Sequence, residues 1–154
     1  MLQRIQTVYL LLFALCSILF CLYPVFKMQA TDGIYTLSVI KTSFQTNVNP
    51  TVLNYNYPLI IISLLMVLIN AIAIFRYDQR MMQLKLINIM FLLFLLLSGV
   101  ILYDYKQLMN IAGTQSSSLN RIIIFMPIEI ILLLLARNGI KKDEKLVRSS
   151  DRLR

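Results

Sequence analysis

The chain has 154 residues, of which 58% are hydrophobic and only 14% are charged, whereas soluble proteins average about 25% charged residues. So few polar side chains could not cover so much apolar surface in water, which excludes an ordinary soluble domain. The formal net charge is +8, but Lys and Arg flank apolar blocks instead of alternating with aromatic residues, which argues against nucleic-acid binding. The chain contains no His, so His-based catalysis is excluded and we expect neither a metal site nor a cofactor.

The first apolar block runs from Ile5 to Phe26, between Arg4 and Lys27. Its length is sufficient for a helix to cross the hydrocarbon core of a bilayer. A cleavable signal peptide would have a shorter apolar region that ends in small residues, so we expect a retained membrane helix. Cys16 and Cys21 lie in this block, and their spacing places them on different helix faces. We therefore interpret both as apolar side chains and not as ligands.

A longer polar segment follows, from about residue 27 to 57. Asp32 and Gly33 are a strong signal for a type I′ hairpin turn, because both central positions of that turn need positive φ. Met28–Thr31 would form the strand before the turn, and the β-branched residues of Ile34–Ile40 favour a strand after it. A two-stranded hairpin is marginally stable alone. We expect it to pack on the helix ends, on the second loop of the same side or on a partner.

Three further apolar blocks predict membrane helices at about 58–75, 86–103 and 119–136. In lipid, only helices and closed barrels satisfy all backbone polar groups. Barrel strands would be segments of about ten residues with alternating polarity, and these blocks are longer and apolar throughout. The predicted fold is an all-α membrane protein: one domain over residues 1–154, built as a four-transmembrane-helix bundle with a small extracytoplasmic β-hairpin in the first outer loop.

Two segments outside the apolar blocks have a mixed composition. The segment 104–121 contains Gly113 and Ser116–Ser118, and we expect it to be partly helical and then flexible. In the basic tail 137–154, Gly139 is expected to end the fourth helix. The tail either anchors on anionic lipid headgroups or docks a cytoplasmic partner. The candidate docking residues are Lys141, Lys142, Asp143, Glu144, Arg148, Asp151 and Arg152.

The Lys and Arg residues are distributed unevenly about the four predicted spans. Eleven lie on the side that holds both termini and four on the other, so the positive-inside rule predicts cytoplasmic termini. The eleven are Arg4, Arg76, Arg80, Lys85, Arg137, Lys141, Lys142, Lys145, Arg148, Arg152 and Arg154, and the four are Lys27, Lys41, Lys106 and Arg121.

Glu129 is the one acidic residue within a predicted span, near its midplane. A charged side chain there costs at least about 2.5 kcal/mol, so we expect the carboxyl to be protonated or to face a donor, with Asn70 as the first candidate and Ser98 as the second. Three roles are open: fixing helix register through Asn70, contacting a partner subunit, or relaying protons or cations. A relay normally uses several polar groups along a path, and Gln83 and Asn88 are interpreted as ordinary interfacial residues.

The two ends of the chain resemble a known family. Leu2–Leu12 (LQRIQTVYLLL) and Ile140–Arg154 (IKKDEKLVRSSDRLR) are similar to the ends of small four-pass inner-membrane proteins from Bacteroidota that have no known activity. The QRIQ motif at the start and the KDE, LVRS and DRLR motifs at the end carry the resemblance. The middle matches only in its four apolar blocks and longer first outer loop. The resemblance implies a topology and a bacterial inner membrane, and it implies no mechanism.

The sequence favours a protein without enzymatic activity. Asp32, Asp78 and Asp104 are scattered over both sides of the predicted bundle, and the chain lacks the paired broken helices of many transporters. We therefore expect an accessory or structural subunit of an inner-membrane complex, whose partners are anionic lipids and other membrane-protein subunits. The alternative is a small transporter or channel component that uses Glu129 in the bilayer.

Overall fold

The described part of the chain contains four long helices and one antiparallel sheet. The computed structural model describes residues 5–30, 33–45, 50–76, 79–112 and 116–151, with backbone alone for 50, 112, 116–119 and 146–151. The helices are α1 (Ile5–Leu22), α2 (Tyr57–Phe75), α3 (Arg80–Ala112) and α4 (Phe125–Asp151), the last preceded by a 3-10 turn at Arg121–Ile124. The strands are β1 (Phe26–Ala30), β2 (Gly33–Leu37), β3 (Lys41–Gln45), β4 (Pro50–Tyr55) and β5 (Ser116–Leu119).

The helices form an up-down-up-down bundle in which α1 packs mainly against α4, and α2 mainly against α3. Each helix is long and apolar enough to cross a membrane. The buried residues of α1 are spaced three or four apart, so they form one stripe that faces the bundle. They are Gln6, Leu10, Phe13, Ser17 and Phe20. The other faces of the helices expose Leu and Ile side chains.

The sheet lies at the end of the bundle where α1 ends and α2 begins, and its strand order is β4-β3-β2-β1-β5. The predicted hairpin is present, since β1 and β2 pair antiparallel from Phe26↔Leu37 to Ala30↔Gly33. Because Gly33 pairs with Ala30, residues 31–32 connect the two strands, and the prediction of Asp32 and Gly33 as the two central turn residues was wrong by one position. Residues 31–32 lie outside the described residues. The prediction of an all-α protein with a two-stranded hairpin was incomplete. The residues after β2 form β3 and β4, which extend the sheet at one edge.

The segment between α3 and α4 adds the strand at the other edge. β5 pairs antiparallel with β1, and the backbone N–H of Asn120 donates to the carbonyl of Val25 at 3.1 Å. The side-chain amide of Asn120 also donates to the carbonyl of Pro24 at 2.8 Å. The expected flexibility of residues 116–119 was therefore wrong, whereas the helical start of this segment is confirmed by the extension of α3 to Ala112.

The first helix is shorter than its predicted span, because it ends at Leu22. Pro24 disfavours helical geometry in the residue before it and has no N–H to donate. The backbone N–H of Val25 then donates to the carbonyl of Leu37 at 2.7 Å. The last residues of the apolar block thus enter the sheet, and Phe26 begins β1.

The fourth helix is longer than predicted, because it continues through Gly139 to Asp151. Gly139 is not in the left-handed conformation that ends many helices. A glycine inside a helix costs only about 1 kcal/mol relative to alanine. The position lies beside α1, and a β-carbon built there would be 3.5 Å from Cβ of Gln6. Helix packing therefore overrides the stop signal.

Candidate functional site

Glu129 lies inside the bundle, where α4 faces α1, and its side chain is only 2% exposed. The hydroxyl of Ser17 on α1 donates a hydrogen bond to Oε1 of Glu129 at 3.0 Å. Ser17 belongs to the buried stripe of α1. The carboxyl therefore faces the bundle, as expected, but its donor comes from the first helix.

Neither of the two predicted donors is the partner that the structure gives to Glu129. The amide nitrogen of Asn70 on α2 donates to the carbonyl of Leu10 on α1 at 3.0 Å. The hydroxyl of Ser98 donates to the carbonyl of Leu95 within α3 at 2.8 Å. Helix packing explains why Ser17 is the donor, because α4 packs mainly on α1 and less on the other helices.

The space beside Glu129 is very small. A cavity of about 10 Å³ is lined by Ser17, Phe20, Cys21, Ser63, Met66, Leu97 and Glu129. A cavity needs at least about 10–15 Å³ to hold one water molecule. The described residues thus leave room for one water at most beside the carboxyl.

A second set of buried polar side chains lies towards the end of the bundle opposite the sheet. Gln83 at the start of α3 is only 1% exposed, and its amide nitrogen donates to the carbonyl of Ala73 on α2 at 2.7 Å. The interpretation of Gln83 as an ordinary interfacial residue was therefore wrong, while Asn88 is exposed. Gln6 on α1 is also buried, and it lies against Gly139.

Several atoms in this set have no hydrogen-bond partner among the described residues. They are Nε2 of Gln6, Oδ1 of Asn70, Oε1 of Gln83 and Nε of Arg137. The amide side chains belong to α1, α2 and α3, and Arg137 belongs to α4. Each of the four helices therefore contributes one of these unpaired buried atoms. Such groups are costly to bury.

Sequence reasoning missed Ser17 and Gln6 as site residues. Both lie at the spacing of the buried stripe of α1, so a helical periodicity count of the first block would have placed them on the inner face with Phe13 and Phe20. Ser17 then becomes a candidate donor. The helix that pairs with α4 was not evident from the sequence.

The structure does not gather the candidate docking residues of the tail into one described site. Lys141 and Lys142 are exposed, and Asp143 and Glu144 are partly buried. The side chain of Arg80 donates to the backbone carbonyl of Asp143 at 3.3 Å, which ties the tail to the start of α3. Only the backbone is described for Arg148 and Asp151, and Arg152 lies outside the described residues.

Among the described residues, no three His, Cys, Asp or Glu side chains converge to hold a metal ion. No curated protein matches the chain in sequence. The family described as "Domain of unknown function (DUF4293)" matches residues 2–153, which include all four helices and the sheet. The match covers nearly the whole chain, and the protein therefore belongs to the DUF4293 family.

Proposed function

We propose that this chain is an integral protein of a bacterial inner membrane, in a Bacteroidota lineage, that crosses the bilayer four times. Soluble proteins rarely expose large continuous apolar surfaces, but lipid tails solvate such surfaces well. The exposed apolar side chains of the helices include Leu11, Leu15, Ile18, Ile61, Leu64, Leu68, Ile72, Leu92, Leu95, Leu102, Ile131 and Leu134. The terminal QRIQ and DRLR motifs support the lineage.

The proposed orientation has both termini in the cytoplasm and the sheet outside it. Eleven of the fifteen Lys and Arg residues lie on the side of the termini, and this bias sets orientation in inner membranes. The basic end of α4 would then lie beside anionic headgroups. The sheet would stand in the extracytoplasmic space.

Labelling of single cysteines tests this topology. In a Cys16→Ala/Cys21→Ala background, Thr51→Cys places a thiol on the exposed strand β4 and Lys145→Cys places one on exposed α4. We expect an impermeant maleimide to label residue 51 in intact spheroplasts and residue 145 only after lysis. The reverse pattern would invert the topology, and release of the protein by alkaline carbonate would contradict membrane insertion.

We further propose that the protein is a non-enzymatic accessory or structural subunit of a membrane complex. The observation that carries this role is the free edge of the sheet at β4. Among the described strands, β4 pairs only with β3, and the side chains of residues 51–55 are all exposed. Val52, Leu53 and Tyr55 make this edge apolar. Free edges bind strands of other proteins by extending the sheet.

The surroundings of Glu129 support the same role. Its carboxyl accepts a hydrogen bond from Ser17, and the adjoining cavity of about 10 Å³ is too small for a pathway. A buried polar pair of this kind fixes the register of two helices. A rigid bundle then presents the sheet to its partner in a defined position.

A charge on the free edge tests the subunit role. Val52→Lys places a cation on β4, where Lys is known to block edge pairing. Ile34→Lys is the matched control, because Ile34 is 38% exposed against 46% for Val52 but lies on the interior strand β2. The tagged chain is purified from native membranes in mild detergent and its partners are identified. We expect Val52→Lys to lower partner recovery at least about tenfold, while Ile34→Lys retains it.

Two results would contradict the subunit role. One is equal recovery of the same partner with Val52→Lys and with the unaltered chain. The other is a protein that remains monomeric under several mild detergents and under chemical crosslinking in native membranes. Either result would leave the proposed topology intact, because labelling tests that separately.

The second candidate function is a small transporter or channel component that uses Glu129. It is favoured by the buried polar side chains that run from the proposed cytoplasmic end towards the middle of the bundle. These are Gln83, Gln6, Asn70, Ser17 and Glu129. A series of polar groups along a path is what a relay requires. Unpaired amide atoms in this series could bind water in an open state.

Flux through proteoliposomes separates this candidate from the first. Glu129→Gln keeps the shape of the side chain and an oxygen that accepts from Ser17 but cannot ionise. A transporter should lose proton or cation flux in this variant, while Ser98→Ala, which alters a hydroxyl bonded within α3, should retain it. Absence of flux in the unaltered protein, or equal flux in Glu129→Gln, would exclude the second candidate.

A further inference from the structure

A cleft of about 150 Å³ lies between the sheet and the part of α3 that extends beyond Tyr103. β3, β4 and the residue that follows β4 supply one wall, and one face of α3 supplies the other. The lining residues are Thr42, Leu53, Asn54, Asn56, Asp104, Gln107, Leu108 and Ile111. The cleft is separate from Glu129, and it lies beyond the predicted span 86–103.

Several of the hydrogen-bond donors around this cleft are already engaged. The hydroxyl of Thr42 donates to Oδ1 of Asn56 at 3.1 Å, and the amide nitrogen of Asn56 donates to the carbonyl of Ser38 at 2.8 Å. The amide nitrogen of Gln107 donates to the hydroxyl of Tyr103 at 2.6 Å. These bonds hold the polar wall in place and leave the amide oxygen of Gln107 as an acceptor.

Asp104 is the charged residue among the described lining residues of the cleft. Its carboxylate makes no hydrogen bond or ion pair with any residue that the structure describes. The side chain is partly buried, and this desolvation raises the pKa of its carboxyl above the usual value. A carboxylate accepts hydrogen bonds at two oxygens and donates none. Among the described residues, the cleft therefore has open acceptor oxygens on Asp104 and Gln107 and one negative charge without a partner.

The other side of the cleft is apolar, since Leu53, Leu108 and Ile111 line it. An engineered cavity of about 150 Å³ in another protein binds benzene, so a group of a few heavy atoms fits here. A Ca²⁺ ion takes about six to eight oxygen ligands, whereas Asp104 is the only carboxylate among the described lining residues. Size, charge and lining together favour a small organic cation over a metal ion.

We propose that this cleft binds a primary ammonium group on a short carbon chain, with the carboxylate of Asp104 as its main acceptor. The amide oxygen of Gln107 supplies a second acceptor, and Leu53 and Ile111 contact the carbon chain. A primary ammonium donates three hydrogen bonds, which the open oxygens of Asp104 and Gln107 can accept. A trimethylammonium group has the same charge but no N–H, so the cleft should discriminate against it.

Two sources offer this chemistry: a free amine such as ethanolamine and the headgroup of an ethanolamine phospholipid. The headgroup source rests on the proposed membrane placement, in which Asp104 follows the span directly and Tyr103 and Tyr105 flank it. Tyrosines concentrate at membrane interfaces. The free-amine source does not depend on that placement.

The test uses the full-length protein purified in detergent without amine buffers. One arm titrates free ethanolamine and measures binding by calorimetry. The other arm reconstitutes the protein in nanodiscs of phosphatidylcholine with or without phosphatidylethanolamine, and native mass spectrometry counts retained lipid. We expect Asp104→Asn to weaken ammonium binding about tenfold or more in whichever arm binds. Asp143→Asn is the control, because it removes the same charge at the opposite end of the bundle.

Gln107→Lys provides a second variant that keeps the carboxylate. Residues 104 and 107 are three apart on α3, so the new ammonium can pair with Asp104 from within the chain. We expect this variant to fold and to lose ammonium binding. Binding of ethanolamine alone would identify a free amine as the source, and selective retention of the ethanolamine lipid would identify the headgroup.

Two outcomes would overturn the proposal. The first is no ethanolamine binding together with equal retention of the two lipids. The second is binding that both Asp104→Asn and Gln107→Lys leave unchanged. Neither outcome would affect the subunit role, which concerns the β4 edge and Val52.

Discussion

The hydroxyl of Ser17 donates to the carboxyl of Glu129 at 3.0 Å, and this bond joins the first helix to the last. The two residues are 112 positions apart in the sequence. Both side chains are buried, so the bond forms away from water between the two helices that make the most extensive contact in the bundle. It therefore contributes to the alignment of α1 with α4.

Removal of this hydroxyl should weaken the bundle. We expect Ser17→Ala to lower the free energy of unfolding by about 0.5–1.5 kcal/mol, the range for single hydrogen bonds between membrane helices. Ser98→Ala is the control, because its hydroxyl bonds within α3, and it should stay within about 0.5 kcal/mol. Reversible unfolding in mixed micelles measures both. Equal losses in the two variants would contradict the role assigned to Ser17.

Substitutions at Glu129 should separate hydrogen bonding from burial. Glu129→Gln retains an acceptor for Ser17, so the free energy of unfolding should fall by no more than about 1 kcal/mol. Glu129→Ala removes buried volume and leaves the Ser17 hydroxyl unpaired, and we expect a loss of about 2–3 kcal/mol. The double variant Ser17→Ala/Glu129→Ala should lose less than the sum of the single variants. Strict additivity would show that the pair is not coupled.

Gly139 provides a test of the long fourth helix. It lies inside α4, and an added β-carbon would have only ordinary contact with Gln6 at 3.5 Å. We expect Gly139→Ala to raise the free energy of unfolding by about 0.5–1 kcal/mol, because alanine is the better helix former. If the helix instead ended here with a left-handed glycine, the same substitution would destabilise the protein. The sign of the change therefore decides between the two structures.

Gly33 should not tolerate a side chain. A β-carbon there would lie 2.5 Å from the carbonyl oxygen of Gln45 and 2.9 Å from the ring of Phe44. We expect Gly33→Ala to cost about 1–3 kcal/mol and to make the sheet sensitive to proteolysis. Gly99→Ala is the matched control, because no atom lies within 4 Å of its added carbon. Equal protease resistance of the two variants would contradict the packing of β2 on β3.

The stability contributed by Asp104 should depend on pH. Partial burial raises the pKa of this carboxyl, so the folded state binds its proton more tightly than the unfolded chain. Stability should fall as the pH rises from the ordinary aspartate pKa of about 3.9 through the raised value. Asp104→Asn should therefore have the higher unfolding temperature at neutral pH in amine-free detergent, and the difference should vanish on acidification. Parallel pH profiles would contradict this assignment.

The helices could be predicted from the sequence because the cause is local. Long uncharged blocks such as 58–75 are apolar on every face, and a helix satisfies their backbone polar groups without help from other segments. The Asp32-Gly33 signal also located the hairpin to within one residue, because turn chemistry is local. Predictions of this kind require no knowledge of tertiary contacts.

The remaining strands and the partner of Glu129 could not be predicted, because non-local contacts determine them. β5 is a serine-rich segment with little strand propensity, and it becomes a strand only because β1 offers a free edge. Ser17 donates to Glu129 because α1 packs on α4, and the sequence does not state which helices are neighbours. Gly139 likewise stays helical because of the packing of α4 on α1.

The pairing of β5 with β1 constrains how the bundle can move. β1 follows α1 directly and β5 leads into α4, so their ladder, together with the bonds from Asn120 to Pro24 and Val25, joins α1 to α4 at one end. The opposite end has no such strand fastening among the described residues. If α1 and α4 separate, the displacement should be smallest at the sheet and largest near the two termini.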